Sequence, residues 1–125
     1  MIQPGLTYKS HAVVTPASTA EAMGSGDMPV FATPALAALM ENAAMLAVAA
    51  ALPEGSTTVG TRLELNHVKA SAAGAEVVAE ALLTEVDGRR LTFRIEARDG
   101  DTVVGECIHE RFIVDRERFL AKIGK

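Results

Sequence analysis

The stretch that decides the fold is PVFATPALAALMENAAMLAVAAALPEG, residues 29–55. Small apolar residues fill it almost without interruption, and only Glu41 and Asn42 are polar in its middle. Its length approaches that of a membrane span, but a carboxylate and an amide are costly at mid-bilayer, and alanine is only weakly apolar. The pattern therefore predicts a helix buried within a folded domain and excludes a membrane-spanning one.

Punctuating residues set the limits of this helix. Thr33 is a good N-cap, and Pro34 suits the first helical position, where its missing N–H needs no partner. Pro53 and Gly55 end the pattern, which leaves about five turns. A helix that is apolar nearly all round needs cover on most sides, and we expect a curled sheet and a second copy of the chain to supply it.

Length and composition restrict the remaining possibilities. The 125 residues predict a single domain, 1–125, and a net charge of −4 argues against a nucleic-acid partner. The single Cys107 has no partner for an internal disulfide, and the polar N-terminal segment MIQPGLTYKSH is unlike a signal sequence. We therefore expect a cytoplasmic protein without a membrane partner.

Strand patterns lie on both sides of the helix. Alternation predicts a strand at 6–14, and residues 15–30, rich in Pro, Gly, Ser and Thr, predict a lid loop with a helical turn in it. The later strands, of which three are linked by Asp-Gly turns, are predicted at 57–69, 76–86, 91–98 and 102–114, before a short helix or frayed tail. This order predicts an α+β fold, in which an antiparallel sheet of about five strands curls around one long helix.

Glu41 is the first candidate for chemistry. Ordinary surface exposure would account for it, because most glutamates face solvent. However, the positions three and four residues away on both sides are all apolar, unlike those of a solvent-facing stripe; they are Ala37, Ala38, Ala44 and Met45. We therefore predict that Glu41 lines a restricted pocket as a candidate general base.

Thr33 and His67 are further candidates, each with a simpler alternative. Capping alone would explain Thr33, yet a hydroxyl at a helix start also lies among free N–H groups, where it could orient water or a carbonyl oxygen. Strand alternation groups His67 with Leu63 and Leu65, so it is either a core residue or a titrating group that meets Glu41 or substrate. Helix geometry separates Thr33 from Glu41 by roughly 12 Å along the axis.

The segment CIHERF places His109 and Arg111 on one strand face and Glu110 on the other. An exposed ladder of mixed charges is the simplest interpretation of this pattern. The three histidines and the lone cysteine show no metal-ligand spacing, so we predict no metal site.

Four segments, VFATPALAALMENAA, GTRLELNHVKA, VDGRRLTFRIEARDG and GECIHERFIV, resemble the hot-dog-fold thioesterases related to fluoroacetyl-CoA thioesterase. The resemblance runs from about Val30 to Phe119, with the motifs in the same order and at matching spacing. It implies a long helix wrapped by an antiparallel sheet and a homodimer with active sites at its interface. Some relatives form larger assemblies.

The resemblance also implies roles for individual residues. Glu41 would act as general base on water, or as nucleophile through an anhydride, and Thr33 would assist by hydrogen bonding. His67, from the partner subunit, would act at the leaving group. Backbone N–H groups near Gly60 would stabilise the developing oxyanion, and Arg111 would line the acyl pocket.

The implied activity is hydrolysis of an acyl-CoA thioester, with no cofactor beyond the coenzyme A of the substrate. Lys69, Arg62 or Arg90 would supply positive charge for the coenzyme A phosphates. The fluoroacetyl-CoA enzymes have an aromatic-rich lid, whereas TAEAMGSGDMPVF offers only Phe31 for substrate contact, so we expect a short or medium acyl chain.

Two other activities are compatible with the same fold. A non-catalytic acyl-CoA or small-ligand binding protein would keep the pocket and the dimer but hydrolyse nothing. A hot-dog hydratase would need an aspartate and a histidine about five positions apart on a helical region, and the sequence has no such pair.

Overall fold

The computed structural model describes residues 2–124, and its elements follow the predicted order. Strand β1 spans Thr7–Val13, and the loop after it contains a 3-10 turn, Pro16–Ser18, and the four-residue helix α1, Ala20–Met23. The long helix α2 spans Thr33–Ala49. Four strands then follow without an intervening helix: β2 at Ser56–His67, β3 at Glu76–Asp87, β4 at Arg90–Asp99 and β5 at Thr102–Asp115. The short helix α3, Arg116–Lys122, comes after β5.

The five strands form one antiparallel sheet in the order β1-β3-β4-β5-β2, so β1 and β2 are its edges. Tight turns at Gly88 and Gly100 join the three central strands, and both glycines have a φ of about 60° that favours a residue without a Cβ. Helix α2 contacts all five strands. The α+β fold expected from the sequence is therefore confirmed.

One side of α2 packs on the sheet, through the buried residues Leu36, Leu39, Met40, Ala43, Ala44 and Val48. The helix approaches β5 closely at Gly105, where a Cβ atom would lie 2.8 Å from Leu36 Cδ2 and 3.2 Å from Met40 Cε. The opposite side of α2 remains partly open, with Ala38 and Ala49 exposed. The sheet therefore covers only part of this helix. Within residues 2–124, none of the helices has the length and apolar character needed to cross a membrane.

The start of α2 differs from the prediction. Ala32, not Thr33, is the N-cap, Thr33 is the first helical residue, and Pro34 is the second. The prediction of an N-cap at Thr33 is wrong because its hydroxyl makes a hydrogen bond with the side chain of His67 instead of capping the helix. The first turn of α2 thus presents a polar side chain to another element.

Asn42 has a structural explanation. Its Oδ1 accepts a hydrogen bond of 2.7 Å from the Ser10 hydroxyl on β1, which fixes the middle of α2 to the edge of the sheet. Of the two polar residues in the middle of the helix, Glu41 is the one that this contact does not explain.

Candidate active site

The first cluster of polar side chains lies where α2 begins and β2 ends. Thr33 Oγ1 and His67 Nδ1 are 2.8 Å apart, a hydrogen-bond distance. The other ring nitrogen, Nε2, is buried and has no hydrogen-bond partner among residues 2–124. Burial lowers the pKa of His67, and the nearby backbone of Lys69 opposes this shift. The ring is therefore neutral at pH 7, with Nδ1 held by Thr33 and Nε2 buried without a partner among residues 2–124.

A cavity of about 280 Å³ adjoins this pair. Thr33, His67, Phe31 and Lys69 line it, together with Ala20 and Ser25 from the loop predicted to be a lid. Hydrogen bonds hold the lid loop in place, since the N–H of Ala20 donates to the carbonyl of Val30 and that of Phe31 to the carbonyl of Ser71. Four of the predicted site residues thus surround one cavity beneath the lid.

The second cluster lies at the middle of α2. Glu41 Oε2 is 3.8 Å from Arg111 Nη1, and the Glu41 side chain is 43% exposed whereas that of Arg111 is 7% exposed. Two further nitrogens of the guanidinium are held by Thr58: Nε donates to its hydroxyl at 2.8 Å and Nη2 donates to its carbonyl at 2.9 Å. Burial lowers the pKa of Arg111, and the Glu41 carboxylate opposes that shift, so the guanidinium stays charged at neutral pH. A fixed cation therefore faces a carboxylate that solvent can reach.

Gly60 lies directly beneath the carboxylate of Glu41. A Cβ atom at this position would be 2.5 Å from Glu41 Oε2, closer than atoms can pack without movement, and 3.4 Å from Arg111 Nη1. The pairing of β2 with β5 shifts register between Gly60 and Arg62, which makes a β-bulge at Thr61. Only glycine leaves room for this placement of the carboxylate.

His109 completes the second cluster and was not recognised from the sequence as a functional candidate. Its side chain is buried, as is that of Arg111, so the interpretation of CIHERF as an exposed charge ladder is wrong. The reason is that α2 covers this face of β5, so its side chains lie between the helix and the sheet. Alternation with the buried Cys107 was the one signal in the sequence for this orientation.

The structure thus groups the predicted residues into two separate clusters. We expected Thr33 and Glu41 of one chain to meet His67 of a partner, but Thr33 contacts His67 of its own chain. No hydrogen bond or ion pair of the described residues links Thr33 or His67 to Glu41 or Arg111. In a single chain the predicted catalytic groups are therefore divided.

The three cations predicted for coenzyme A binding also lie in different parts of the molecule. Lys69 lines the cavity beside His67. Arg62 pairs with Glu64 and Glu110 on the opposite face of the sheet, and Arg90 pairs with Asp87 at the turn between β3 and β4. Of the three, Lys69 lies closest to the residues predicted to be catalytic.

Comparisons with known proteins show which family the chain resembles in sequence and fold. Residues 14–117 match the sequence profile of FlK, described as fluoroacetyl-CoA-specific thioesterase. A fluoroacetyl-CoA thioesterase of Streptantibioticus cattleyicolor is 39% identical over 94 residues, which are 75% of this chain and 68% of that protein. The solved structure of the fluoroacetyl-CoA thioesterase FlK superposes with a TM-score of 0.91 at 33% identity, over 98% of this chain and 96% of its own. A Thermus thermophilus protein described as a thioesterase superfamily member superposes with a TM-score of 0.90 at 26% identity, over 98% and 91% of the two chains.

Proposed function

Because the chain belongs to the FlK family of hot-dog thioesterases and is a thioester hydrolase, we propose that it hydrolyses short or medium acyl-CoA thioesters to a carboxylic acid and coenzyme A. The observation that carries this proposal is the 2.8 Å hydrogen bond between Thr33 and His67, two residues that line one cavity. The other ring nitrogen of His67, Nε2, is buried and has no hydrogen-bond partner among residues 2–124. A neutral histidine that is held in one orientation and has one nitrogen without a partner is suited to act on a bound carbonyl or leaving group.

Glu41 is the proposed base or nucleophile. As base, its carboxylate takes a proton from water while the water oxygen adds to the thioester carbonyl carbon, and the C–S bond then breaks to release the thiolate. As nucleophile, its oxygen adds to the same carbon, the thiolate leaves, and water hydrolyses the resulting anhydride to the acid. Either route needs a carboxylate that is held in place but reachable, as the contacts with Arg111 and the 43% exposure of Glu41 provide.

Thr33 and His67 serve the other side of the thioester. When the Thr33 hydroxyl donates to His67 Nδ1, the neutral ring carries its proton on Nε2 and can donate it toward the carbonyl oxygen or the departing sulfur. Near Gly60 the bulge leaves Thr61 outside the β2–β5 pairing, so backbone N–H groups of this segment are the proposed oxyanion donors.

A homodimer is the proposed way to unite the two clusters. Gly60, beneath Glu41, and His67, beside Thr33, are seven residues apart on the edge strand β2, roughly 23 Å in extended conformation. If two copies of β2 pair antiparallel about a two-fold axis at Glu64, Leu63 of each copy lies opposite Leu65 of the other, and because the bulge at Thr61 takes up one residue, position 60 lies opposite position 67. Such pairing would also cover a 12-residue sheet edge that has a neighbour on one side only among the described strands.

The lid and Lys69 define the proposed substrate range. The lid loop contributes the small residues Ala20 and Ser25 to the cavity wall, and Phe31 is its aromatic member. A wall of this kind gives little basis for strict selection of a fluorinated acetyl group over other small acyl groups. Lys69, at the rim of the same cavity, is placed to meet a phosphate of coenzyme A.

Release of free thiol from a panel of acyl-CoA thioesters, with two to eight acyl carbons, tests the proposal. Glu41→Gln keeps the size of the side chain but removes the base, so we expect kcat to fall roughly 100- to 10,000-fold. The Cys107 thiol should contribute little to the signal of this assay. Burial, and to a smaller extent Glu41, raises its pKa to about 12.

The matched control is Glu85→Gln, which changes an exposed glutamate near Arg90 and should leave kcat unchanged. Absence of thiol release from every member of the panel would contradict the proposed hydrolysis. Full activity in Glu41→Gln would contradict the role of Glu41.

A further inference from the structure

His109 is an enclosed histidine that takes no direct part in the chemistry described above. Only 1% of its surface is exposed, and its ring packs near that of Phe93, with the centroids 6.2 Å apart. It lies on β5, two residues before Arg111 and on the same face. A buried imidazole with two polar contacts is costly to retain unless both nitrogens are satisfied.

Two contacts determine which ring nitrogen carries the proton. Nδ1 is 2.7 Å from the carbonyl oxygen of Arg62, and because a carbonyl only accepts, Nδ1 must be the donor. Nε2 is 3.2 Å from Arg111 Nη1, and because a guanidinium only donates, Nε2 must be the acceptor. The neutral tautomer with its proton on Nδ1 satisfies both, and a doubly protonated ring would lose the contact with Arg111.

The consequence for Arg111 is that its guanidinium is fixed at all three nitrogens. Thr58 holds Nε and Nη2, and His109 holds Nη1, the nitrogen that also faces Glu41 Oε2 at 3.8 Å. Without His109, Nη1 would keep only the 3.8 Å contact with Glu41, and the guanidinium could turn about its Thr58 contacts. The orientation of the cation toward the carboxylate therefore depends on the imidazole.

The consequence for β2 is that the bulge is fixed from the same ring. The carbonyl of Arg62, which accepts from Nδ1, belongs to the first residue after the bulge. On the other side of the bulge, a Cβ atom at Gly60 would lie 3.3 Å from His109 Cε1. One side chain thus contacts the bulge, the space above Gly60 and the cation beside Glu41.

We propose that His109 is a positioning residue for thioester hydrolysis, which holds Arg111 against Glu41 and fixes the β2 bulge that presents the backbone near Gly60 to the thioester. This role rests on the proposed function of Glu41. It requires no proton transfer by His109 and no contact with substrate. Its effect should fall on the transition state, because the groups that it orients act on the reacting carbon.

Kinetics of two variants test this role. His109→Phe keeps an aromatic ring beside Phe93 but removes both nitrogens, and we expect kcat to fall roughly 10- to 100-fold with KM changed much less. His109→Gln offers one donor and one acceptor, so it should recover a large part of the lost kcat. His11→Phe, at an exposed histidine of β1, is the control and should leave kcat unchanged.

A double-mutant cycle separates positioning from general structural support. If His109 acts through Arg111, the combination of His109→Phe with Arg111→Met should be little worse than Arg111→Met alone. If the two losses multiply, His109 does not act through Arg111, and that part of the inference is overturned. A folded His109→Phe variant with the kcat of the parent overturns it as well, whereas the failure of Glu41→Gln to lose activity overturns the proposed function instead.

Should His109→Phe not fold, nitrogen-detected NMR of the unaltered protein decides the matter. The inference requires the His109 proton on Nδ1, shielded from exchange, at pH 7. A proton found on Nε2 would exclude the contact with Arg111 and overturn the proposal.

Discussion

The two clusters of the site differ in how completely their polar groups are satisfied. Around Glu41, the nitrogens of Arg111 and His109 all have partners, and both side chains are buried. Around Thr33 the hydroxyl is exposed, and His67 keeps one nitrogen without a partner beside a cavity. The cluster around Glu41, in which the buried nitrogens all have partners, is suited to hold a carboxylate in one geometry. The cluster around Thr33, in which one nitrogen has no partner among residues 2–124, is suited to receive a substrate. The two clusters lie at different places along α2 and β2 of one chain, and we propose that together they form the hydrolytic site.

The largest effect is expected from a dimer in which each subunit carries a change in a different cluster. A purified heterodimer of one Glu41→Gln chain and one His67→Phe chain would have one intact site of two, because each proposed site takes Glu41 from one chain and His67 from the other. We expect about half of the activity of the unaltered dimer, although each variant homodimer is nearly inactive. Differently tagged chains and the thiol-release assay would measure this.

The control heterodimer combines two changes from the same cluster, Glu41→Gln and Gly60→Ala. Here no pairing yields an intact site, and activity should stay at or below about half the residual level of the Gly60→Ala homodimer. Equal recovery in both heterodimers, or a monomeric protein by light scattering at micromolar concentration, would contradict the division of the site between subunits.

Gly60→Ala should give the next largest effect. The added Cβ would lie 2.5 Å from Glu41 Oε2, so the carboxylate must move, and we expect kcat to fall roughly 10- to 100-fold with little change in thermal stability. The movement is tolerable for the fold because the end of a half-exposed side chain is displaced and not the backbone.

Gly105→Ala is the matched comparison within the same sheet. Its Cβ would meet Leu36 Cδ2 at 2.8 Å in the core, so it should destabilise the fold by roughly 1–3 kcal/mol and affect kcat less than Gly60→Ala does. Thermal unfolding and initial rates of both variants distinguish the two cases. Equal losses of activity would mean that Gly60 matters for packing alone.

These glycines also show what the sequence could reveal. The Asp-Gly turns, the alternating strands and the long apolar helix follow from local patterns, and the structure confirms them at nearly the predicted boundaries. The close approach of Glu41 to Gly60 joins α2 to β2 across 19 positions, and no local pattern encodes it. The resemblance to known thioesterases supplied Gly60 as a candidate, and the packing of the chain gives a physical reason for glycine there.

The Thr33 N-cap and the exposed His109 failed for a related reason. Both predictions treated a side chain by its own element, one as a helix cap and the other as part of a strand ladder. In the fold the Thr33 hydroxyl is used by His67 and the His109 ring by the Arg62 carbonyl, and only tertiary packing brings these segments together. The other partner of His109, Arg111, is its neighbour on the same face of β5. Polar side chains with two possible partners are therefore where sequence reasoning was weakest.

Removal of the Thr33 hydroxyl should give a smaller effect than the changes around Glu41. Thr33→Val is nearly isosteric but cannot hydrogen-bond to His67 Nδ1, and loss of one such bond should lower kcat roughly 3- to 10-fold. Thr33→Ser keeps the hydroxyl and should stay close to the parent. If Thr33→Val instead lost activity as completely as Glu41→Gln, the hydroxyl would have a direct role in bond formation.

The smallest expected effect is on stability at acid pH. It separates what the titrating ring of His109 does to stability from what its hydrogen bonds do for activity. Burial, and then the nearby Arg111 cation, lowers the pKa of His109 below its ordinary value of 6.5, despite an opposing bond from the Arg62 carbonyl. As pH falls below 6.5, His109 therefore binds a proton in the unfolded chain but not in the native chain. The free energy of unfolding should decline in that range, by no more than about 1.4 kcal/mol per pH unit for this group. His109→Phe and His109→Gln both lack the titrating ring, and urea unfolding between pH 7 and pH 5, at fixed protein concentration, should show the same shallower decline for both. Only His109→Gln can keep the hydrogen bonds, so it should differ from His109→Phe in activity but not in the pH dependence of its stability. If both variants instead kept the pH dependence of the parent, His109 would take up its proton in the native state as readily as in the unfolded chain.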